Sequence, residues 1–448
     1  MKYRSLRVKG RWRGCWLGIV LFICASLSDA GAETPEDVEN SFYPYRNEIP
    51  RFSGLCSGLT LSSSNIEQFK GILAPELYPQ IKDGWFTMKT GETTSFDVHP
   101  NYVRATKEEL GKVSLGEKLG QINGYVAGRP FSAQPEPSDP RAGEKLAWNF
   151  KFGFHFGDCA TIFPLYSKYR DMNKNKIERM LTVNYHVLKY KHRVCHAPIP
   201  EITPNPSGLF RASYSMVLSP YDVKNTQLLI LRSEDDLERD NAWMYMGFQR
   251  RVRRLATGQT TDAYLGSDYM IEDFEGYNGR ISDMLWTYKA TCNLMMPFFN
   301  HNDLELDTET HQDDPDGYRV VAFGGKGGCY PDVTWQLRKA YVVEAVPIDS
   351  SHPLGKRVLY MDAQTFTIPL AGIYDRSGRL WKVFIIGHSH PDHHLAQNKA
   401  TGVAVADASS MIDVQANHCT TGQFKGVGDP KLCPVDKFSV QYLRTCGN

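Results

Sequence analysis

From Leu146 to Phe156 every second residue is apolar: Leu146, Trp148, Phe150, Phe152, Phe154 and Phe156, with Ala147, Asn149, Lys151, Gly153 and His155 between them. A period of two belongs to a strand with one face buried and one wet, so this stretch is predicted to open a β-rich body. The pattern returns at Leu181-Val183-Tyr185-Val187 and at Phe210-Ala212-Tyr214-Met216-Leu218. Further strands are predicted over 226–232, 243–254, 281–290, 334–346, 356–361, 365–374 and 379–387. Asp362-Ala363-Gln364 and Asp375-Arg376-Ser377-Gly378 are turn-length links, which implies an antiparallel meander. No long amphipathic helix separates successive strands, which disfavours a doubly wound parallel sheet. About ten strands with aromatic-rich faces must bury those faces by closing into a barrel, stacking as a sandwich, or curling around helices or a ligand.

The flanks lack this period. Residues 33–144 are rich in Pro, Gly and Ser, with Ser64/Glu67 and Thr106/Glu109 spaced as capping boxes. The proline-dense AQPEPSDPR at 133–141 marks a boundary. The organisation expected is an irregular, partly helical arm (33–144), a β body (145–390) and a cysteine-containing tail (391–448). Residues 1–32 read as a signal peptide: Lys2, Arg4, Arg7, Lys9, Arg11 and Arg13 precede a short apolar run from Cys15 to Leu27, and Ala30-Gly31-Ala32 fits a cleavage site.

Cleavage after Ala32 removes six basic residues and Asp29, taking the formal charge from +1 to about −4. Bulk charge therefore gives no reason to expect nucleic acid as a partner. Eight cysteines remain: Cys56, Cys159, Cys195, Cys292, Cys329, Cys419, Cys433 and Cys446. Their even number in an exported chain permits disulfides, and no C-x-x-C pair suggests a zinc ribbon or thioredoxin site. A bridge involving the cluster Cys419, Cys433 and Cys446 is expected to staple the tail.

The stretch from Asn241 to Arg280 concentrates charge. Arg250, Arg251, Arg253 and Arg254 crowd around Val252, and Asp268, Glu272, Asp273 and Glu275 follow. The two sets are expected to pair and neutralise each other. With its aromatic strand, RRVRRLA and GSDYMIEDFEGYNG, this stretch resembles a Gram-negative periplasmic family described as outer-membrane lipoprotein-sorting proteins. The resemblance includes SGLTLSSSNIEQFKGIL, PNYVRAT, WQLRKAYVVEAVP, KRVLYMDAQTF and YDRSGRLWKV, and fades after about Val383. It implies a mainly β (α+β) fold, a curved antiparallel sheet forming an incomplete LolA/LolB-like barrel, with apolar groups on its concave face. It further implies a periplasmic carrier of a lipid, an acyl chain or a similar hydrophobic molecule, exchanging cargo with a membrane transporter. No cofactor and no catalysis are expected. On this reading Phe150, Phe152, Phe154, Trp243 and Tyr245 are the candidate ligand-binding residues, although core packing is the ordinary fate of such side chains.

A different chemistry is suggested by Gly387-His388-Ser389-His390-Pro391-Asp392-His393-His394, which contains the H-x-H-x-D-H of metallo-β-lactamase-fold hydrolases. His388, His390, Asp392 and His393 there would hold zinc and activate water. In that fold the motif comes early, with further ligands well downstream. Here 54 residues follow His394, with His418 the only histidine among them. A metal-dependent hydrolase is therefore the lesser reading, alongside a structural envelope protein without cargo. Gly324–Cys329 lacks the phosphate-loop pattern, and the acidic run His301–Tyr318 lacks EF-hand spacing.

The export reading has a direct check. Protein recovered from the periplasmic fraction is expected to begin at Glu33 on N-terminal sequencing, and retention of Met1 in the membrane fraction would indicate an uncleaved anchor instead.

Overall fold

Hydrogen-bonded ladders join sixteen strands of the described residues into a single sheet. The computed structural model describes residues 33–256, 260–308 and 317–446. The expected signal peptide, part of the turn at Thr257–Thr261 and residues 309–316 of the acidic run before Tyr318 lie outside the described residues. The path begins with the short strands Thr60–Leu61 and Met88–Thr90. It continues through Thr334–Pro347, Leu354–Asp362, Leu370–Asp375, Leu380–Ser389, Val405–Asp413 and His418–Val427. It then passes to Cys159–Asp171, Lys176–Lys189, Leu209–Ser219, Gln227–Ser233 and Asn241–Met246, and ends at Arg251–Arg254. The long neighbours on this path pair antiparallel, and the two ends do not pair with each other. The expected mainly β, open, antiparallel architecture is what forms.

Alternation assigns each side of this sheet a different cover. Val383 and Ile385 on one side pack with Leu61, Phe69 and Phe96 of the N-terminal segment. Phe384 and Ile386 on the other share a core with Leu146, Trp148 and Phe150. Those last three residues are not on a strand. Ala142–Lys151 is an α-helix, which corrects the strand predicted over Leu146–Phe156. The helix is buried on nearly all sides, Ala147 and Asn149 included, so no wet stripe imposes a 3.6-residue period. Asn149 is accommodated by hydrogen bonds to the backbone of Phe131, accepting at 3.0 Å and donating at 2.6 Å. Gly143 makes the close approach possible, since a Cβ there would lie 2.7 Å from the Trp286 carbonyl.

The expected tail is also different. Val405–Asp413 and His418–Val427 lie in the middle of the sheet, between Leu380–Ser389 and Cys159–Asp171. The described residues from Glu33 onward group as one compact unit. Strand periodicity missed these strands because their buried positions are polar. Ser410, Thr420, Thr421 and Gln423 are wholly inaccessible. Ser410 donates to the Cys329 carbonyl (2.6 Å) and Gln423 to that of Val321 (2.7 Å). Hydrogen bonds thus remove the penalty that normally keeps such residues at the surface. Cys419, also here, is bridged to Cys329, a partner outside the C-terminal cysteine cluster. The predicted strand 243–254 is a hairpin of two strands, turning at Gly247–Arg250, where Arg250 takes a φ of 50°.

One ion pair lies in the N-terminal core. Arg338 and Asp362 are both inaccessible, with Nε to Oδ1 at 2.6 Å, and the guanidinium stands over the Phe298 ring at 4.2 Å. Burial alone would raise the Asp362 carboxyl, but Arg338 and the hydrogen bonds from Thr365 outweigh it and hold it lower. A carboxylate held low contributes stability that is fully present above its unfolded pKa of about 3.9 and lost as pH falls through the folded value. Asp362→Ala is expected to cost about 3–5 kcal/mol in urea unfolding at pH 7, since it strands a buried guanidinium. The variant should also lose part of the wild-type decline in stability below about pH 4. A change under about 1 kcal/mol would show that the pair is not an anchor.

Candidate functional site

Residues 264–278 cross the sheet as a run of short turns, including 3-10 helices at Tyr264–Gly266 and Ile271–Gly276. Side-chain charges fasten this run to the strands beneath. Arg357, 1% exposed, pairs with Asp273 at 2.8 Å and Glu272 at 3.3 Å. Glu275 pairs with Arg211 at 2.7 Å and accepts from the Tyr185 hydroxyl at 3.1 Å. Asp268 accepts from Thr420 (2.6 Å) and lies 2.8 Å from His418 Nδ1. Gly276, at φ 103°, is pressed so close to Ile368 that a Cβ would lie 2.7 Å away. The acids at 268–275 therefore serve strands elsewhere. They do not pair with Arg250–Arg254, which corrects the expected neutralisation.

Between this crossing segment and the sheet lies a cavity of about 170 Å³. Leu165, Leu181, Val183, Phe384, Ile386 and Phe424 form apolar walls, and phenol rings complete them. Each phenol has its hydroxyl engaged at the wall: Tyr169 donates to the Leu265 carbonyl (3.1 Å), Tyr185 to Glu275, and Tyr269 meets Ser409 (2.8 Å). Tyr264 lies 3.5 Å from the Ser215 hydroxyl. Burial raises the pKa of all four phenols, so they stay neutral at physiological pH. The cavity consequently meets mostly ring faces and aliphatic carbons, with Ser167, Ser215, Ser267, Ser409 and Glu275 as the polar members of its wall. Two other cavities, of about 220 and 520 Å³, have charged and polar residues in their walls, Asp158 and His196 in the first and Arg239 and Asp349 in the second.

None of the five candidate ligand-binding residues lines the apolar cavity. Phe150 and Phe152 pack in the core around the helix Ala142–Lys151, Phe152 being stacked on Tyr125 at 4.2 Å. Phe154 belongs to a smaller core with Tyr102 and Val38. Tyr245 is buried, and Trp243 half-buried, in the core that also holds Phe438 and Leu443 from the C-terminus. Phe150 is the one of the five on the helix Ala142–Lys151, and Phe154 also borders the cavity of about 220 Å³. Phe156, at the end of the same alternating stretch, does line the cavity. Tyr264, Tyr269 and Phe274 were missed. They lie in turns with no period, and only their density of aromatics marked them.

The histidine motif does not converge either. His388 is buried and stacked on Phe298, with Nδ1 3.0 Å from the Ile386 carbonyl, and burial pushes its pKa down to about 4. His390 stacks on Phe96, whereas Asp392 and His393 are exposed. Among the described residues the group that draws together is His301, His394 and Asp407, with the Tyr318 hydroxyl among them. Its hydrogen bonds close without an ion. Asn398 donates to His394 Nδ1 at 2.9 Å and to the Gly426 carbonyl at 2.7 Å, so the His394 proton sits on Nε2, facing Asp407 and Tyr318. His301 Nδ1 meets the other Asp407 oxygen at 2.6 Å.

A family model described as Protein of unknown function (DUF1329) matches residues 60–444, and the chain belongs to that family. The match runs well past Val383, where the resemblance read from sequence faded. An uncharacterized protein of Pseudomonas aeruginosa is 22% identical over 354 residues, covering 76% of this chain and 70% of that protein. Among solved structures, a Vibrio parahaemolyticus domain described as a candidate outer membrane lipoprotein-sorting protein superposes with a TM-score of 0.45 and 14% identity. It covers 68% of this chain and 100% of its own. A DUF1329 family protein from Desulfovibrio piger gives 0.45 and 15%, with the same coverage.

Core and cavity positions should respond differently to truncation. Phe152→Ala is expected to lower stability by about 3–5 kcal/mol in urea melts, the cost of deleting a fully packed aromatic. A loss below about 1 kcal/mol would mean Phe152 faces space rather than protein.

Proposed function

We propose that this chain binds a slender apolar molecule, such as a single acyl chain, in the cavity beneath residues 264–278, and carries it between membranes. The observation that carries the reading is the wall chemistry. The space is lined chiefly by ring faces and aliphatic carbon, the hydroxyls of Tyr169, Tyr185 and Tyr269 being bonded to protein, with serine hydroxyls and Glu275 as the polar groups of its wall. Water gains little in such a space, and an apolar guest gains about 25 cal/mol for each Å² removed from water. The volume sets the class of guest: about 170 Å³ is below the ~300–1,000 Å³ that takes drug-sized ligands. One chain suits it better than a multi-chain lipid inserted whole.

Binding without catalysis is part of the same reading, because the buried phenols are neutral and offer no base. The carrier would act in the periplasm after cleavage behind Ala32, receiving or delivering cargo at a membrane transporter. No helix among the described residues is long and apolar enough to cross a membrane.

A fluorescent fatty acid is the simplest probe. Wild-type protein is expected to bind it saturably at one site. Ser167→Trp should fill the cavity from a half-buried wall position and weaken binding at least ~10-fold, about 1.4 kcal/mol, with the melting temperature little changed. Failure of the wild type to bind any apolar probe would end the carrier reading.

A further inference from the structure

The arginine cluster singled out in the sequence has no role in the cavity, and it is not neutralised by the acids that follow it. Arg251–Arg254 is the last strand of the sheet, with Arg251, Arg253 and Arg254 exposed. Its hairpin tip lies beside two others. The tips are residues 171–176, 219–226 and 246–251, all at the same end of the sheet by strand register. Arg179 pairs with Asp222 across the first two. At the third, a Cβ on Gly247 would lie 2.3 Å from the Lys224 carbonyl, so the second and third tips pack directly.

Two properties of this end occur together. Large apolar side chains stand in water: Tyr221 is 94% exposed, Phe248 73% and Ile177 40%. They are interleaved with Lys174, Lys176, Arg179, Lys224, Arg250, Arg251, Arg253 and Arg254, against Asp171, Glu178 and Asp222. Eight positive and three negative groups give this end +5, while residues 33–448 as a whole carry about −4. Among the described residues no ion pair engages Lys176, Lys224, Arg250, Arg251 or Arg253. Scattered exposed aromatics are unremarkable alone. Aromatic tips set in a local positive excess on a negative chain are the composition of an interfacial anchor, in which rings enter the headgroup layer and cations meet anionic lipid.

We propose that the three hairpin tips carrying Ile177, Tyr221 and Phe248 dock on the surface of an anionic lipid bilayer. The fold places this surface usefully. Val223, in the second tip, packs in one cluster with Tyr169, Leu181 and Val183, and those three line the apolar cavity. The apolar lining is thus continuous from the cavity to the docking tip. The docking surface goes beyond the carrier reading and does not depend on it.

The test uses the full exported chain and vesicles of phosphatidylcholine with or without about one-third phosphatidylglycerol. Co-sedimentation is expected with the anionic vesicles, little with the neutral ones, and a steep fall as salt is raised. Tyr221→Ser with Phe248→Ser, and separately Arg251→Glu with Arg253→Glu, should each weaken vesicle binding at least 10-fold. All four positions are on the surface, so circular dichroism and fatty-acid binding should be unchanged. Equal binding to neutral and anionic vesicles would overturn the proposal. So would variants that bind like wild type, or a wild type that ignores vesicles and cross-links through these tips to an envelope protein instead. Loss of vesicle binding with intact fatty-acid binding supports docking alone, and the reverse result refutes docking while leaving the cavity reading in place.

Discussion

The cavity exists because a stretch of chain that is not part of the sheet is held above it by buried charge. Arg357, Asp273 and Glu272 form the central tie, all three nearly inaccessible. Breaking such a tie leaves an uncompensated charge in a low-dielectric interior, so the segment has a strong reason to stay in place. Glu275 with Arg211 and Asp268 with Thr420 fix its two ends. An apolar linker would settle onto the sheet and fill the space with its own side chains. Acidic anchors at intervals hold the aromatic residues between them, Tyr269 and Phe274, as a wall standing over strands that carry Leu181 and Phe384. Ion pairs here set a distance between surfaces more than they supply net stability.

The same logic of satisfied polarity runs through the middle of the sheet. The strands Val405–Asp413 and His418–Val427 bury Ser, Thr, Gln and Asp by giving each a backbone or side-chain partner. The His301–His394–Asp407 network, closed by Asn398 and Tyr318, is the densest case. Polar satisfaction on this scale favours one register over its neighbours, since a one-residue slip would leave each of these groups unpaired at once.

What sequence could reveal follows from these facts. Strands with one apolar face, such as Lys176–Lys189 and Leu209–Ser219, announced themselves by alternation. The helix Ala142–Lys151 imitated a strand because burial on all sides erased its polar stripe. The two polar central strands were invisible to hydropathy, and a signal for them existed only in β-branched and small residues without an apolar period. At the cavity, the segment Asn241–Arg280 was rightly marked as unusual, but its charges were matched to each other when their partners lie far away in sequence, at Arg357 and Arg211. Long-range ion pairs leave no local pattern. The metal motif, the lesser reading, has a suggestive spacing, but His388 is stacked on Phe298 and His390 on Phe96, while Asp392 and His393 are exposed.

The central claim is that the space beneath residues 264–278 is where an apolar guest resides. Photolabelling decides it most directly: a fatty acid bearing a diazirine near its terminal carbon is bound, irradiated, and the modified peptides mapped by mass spectrometry. The account predicts label on peptides spanning 264–275 and 165–183, competed away by unlabelled fatty acid. Competable label confined to other peptides, such as those around Phe152 or Tyr245, would contradict it.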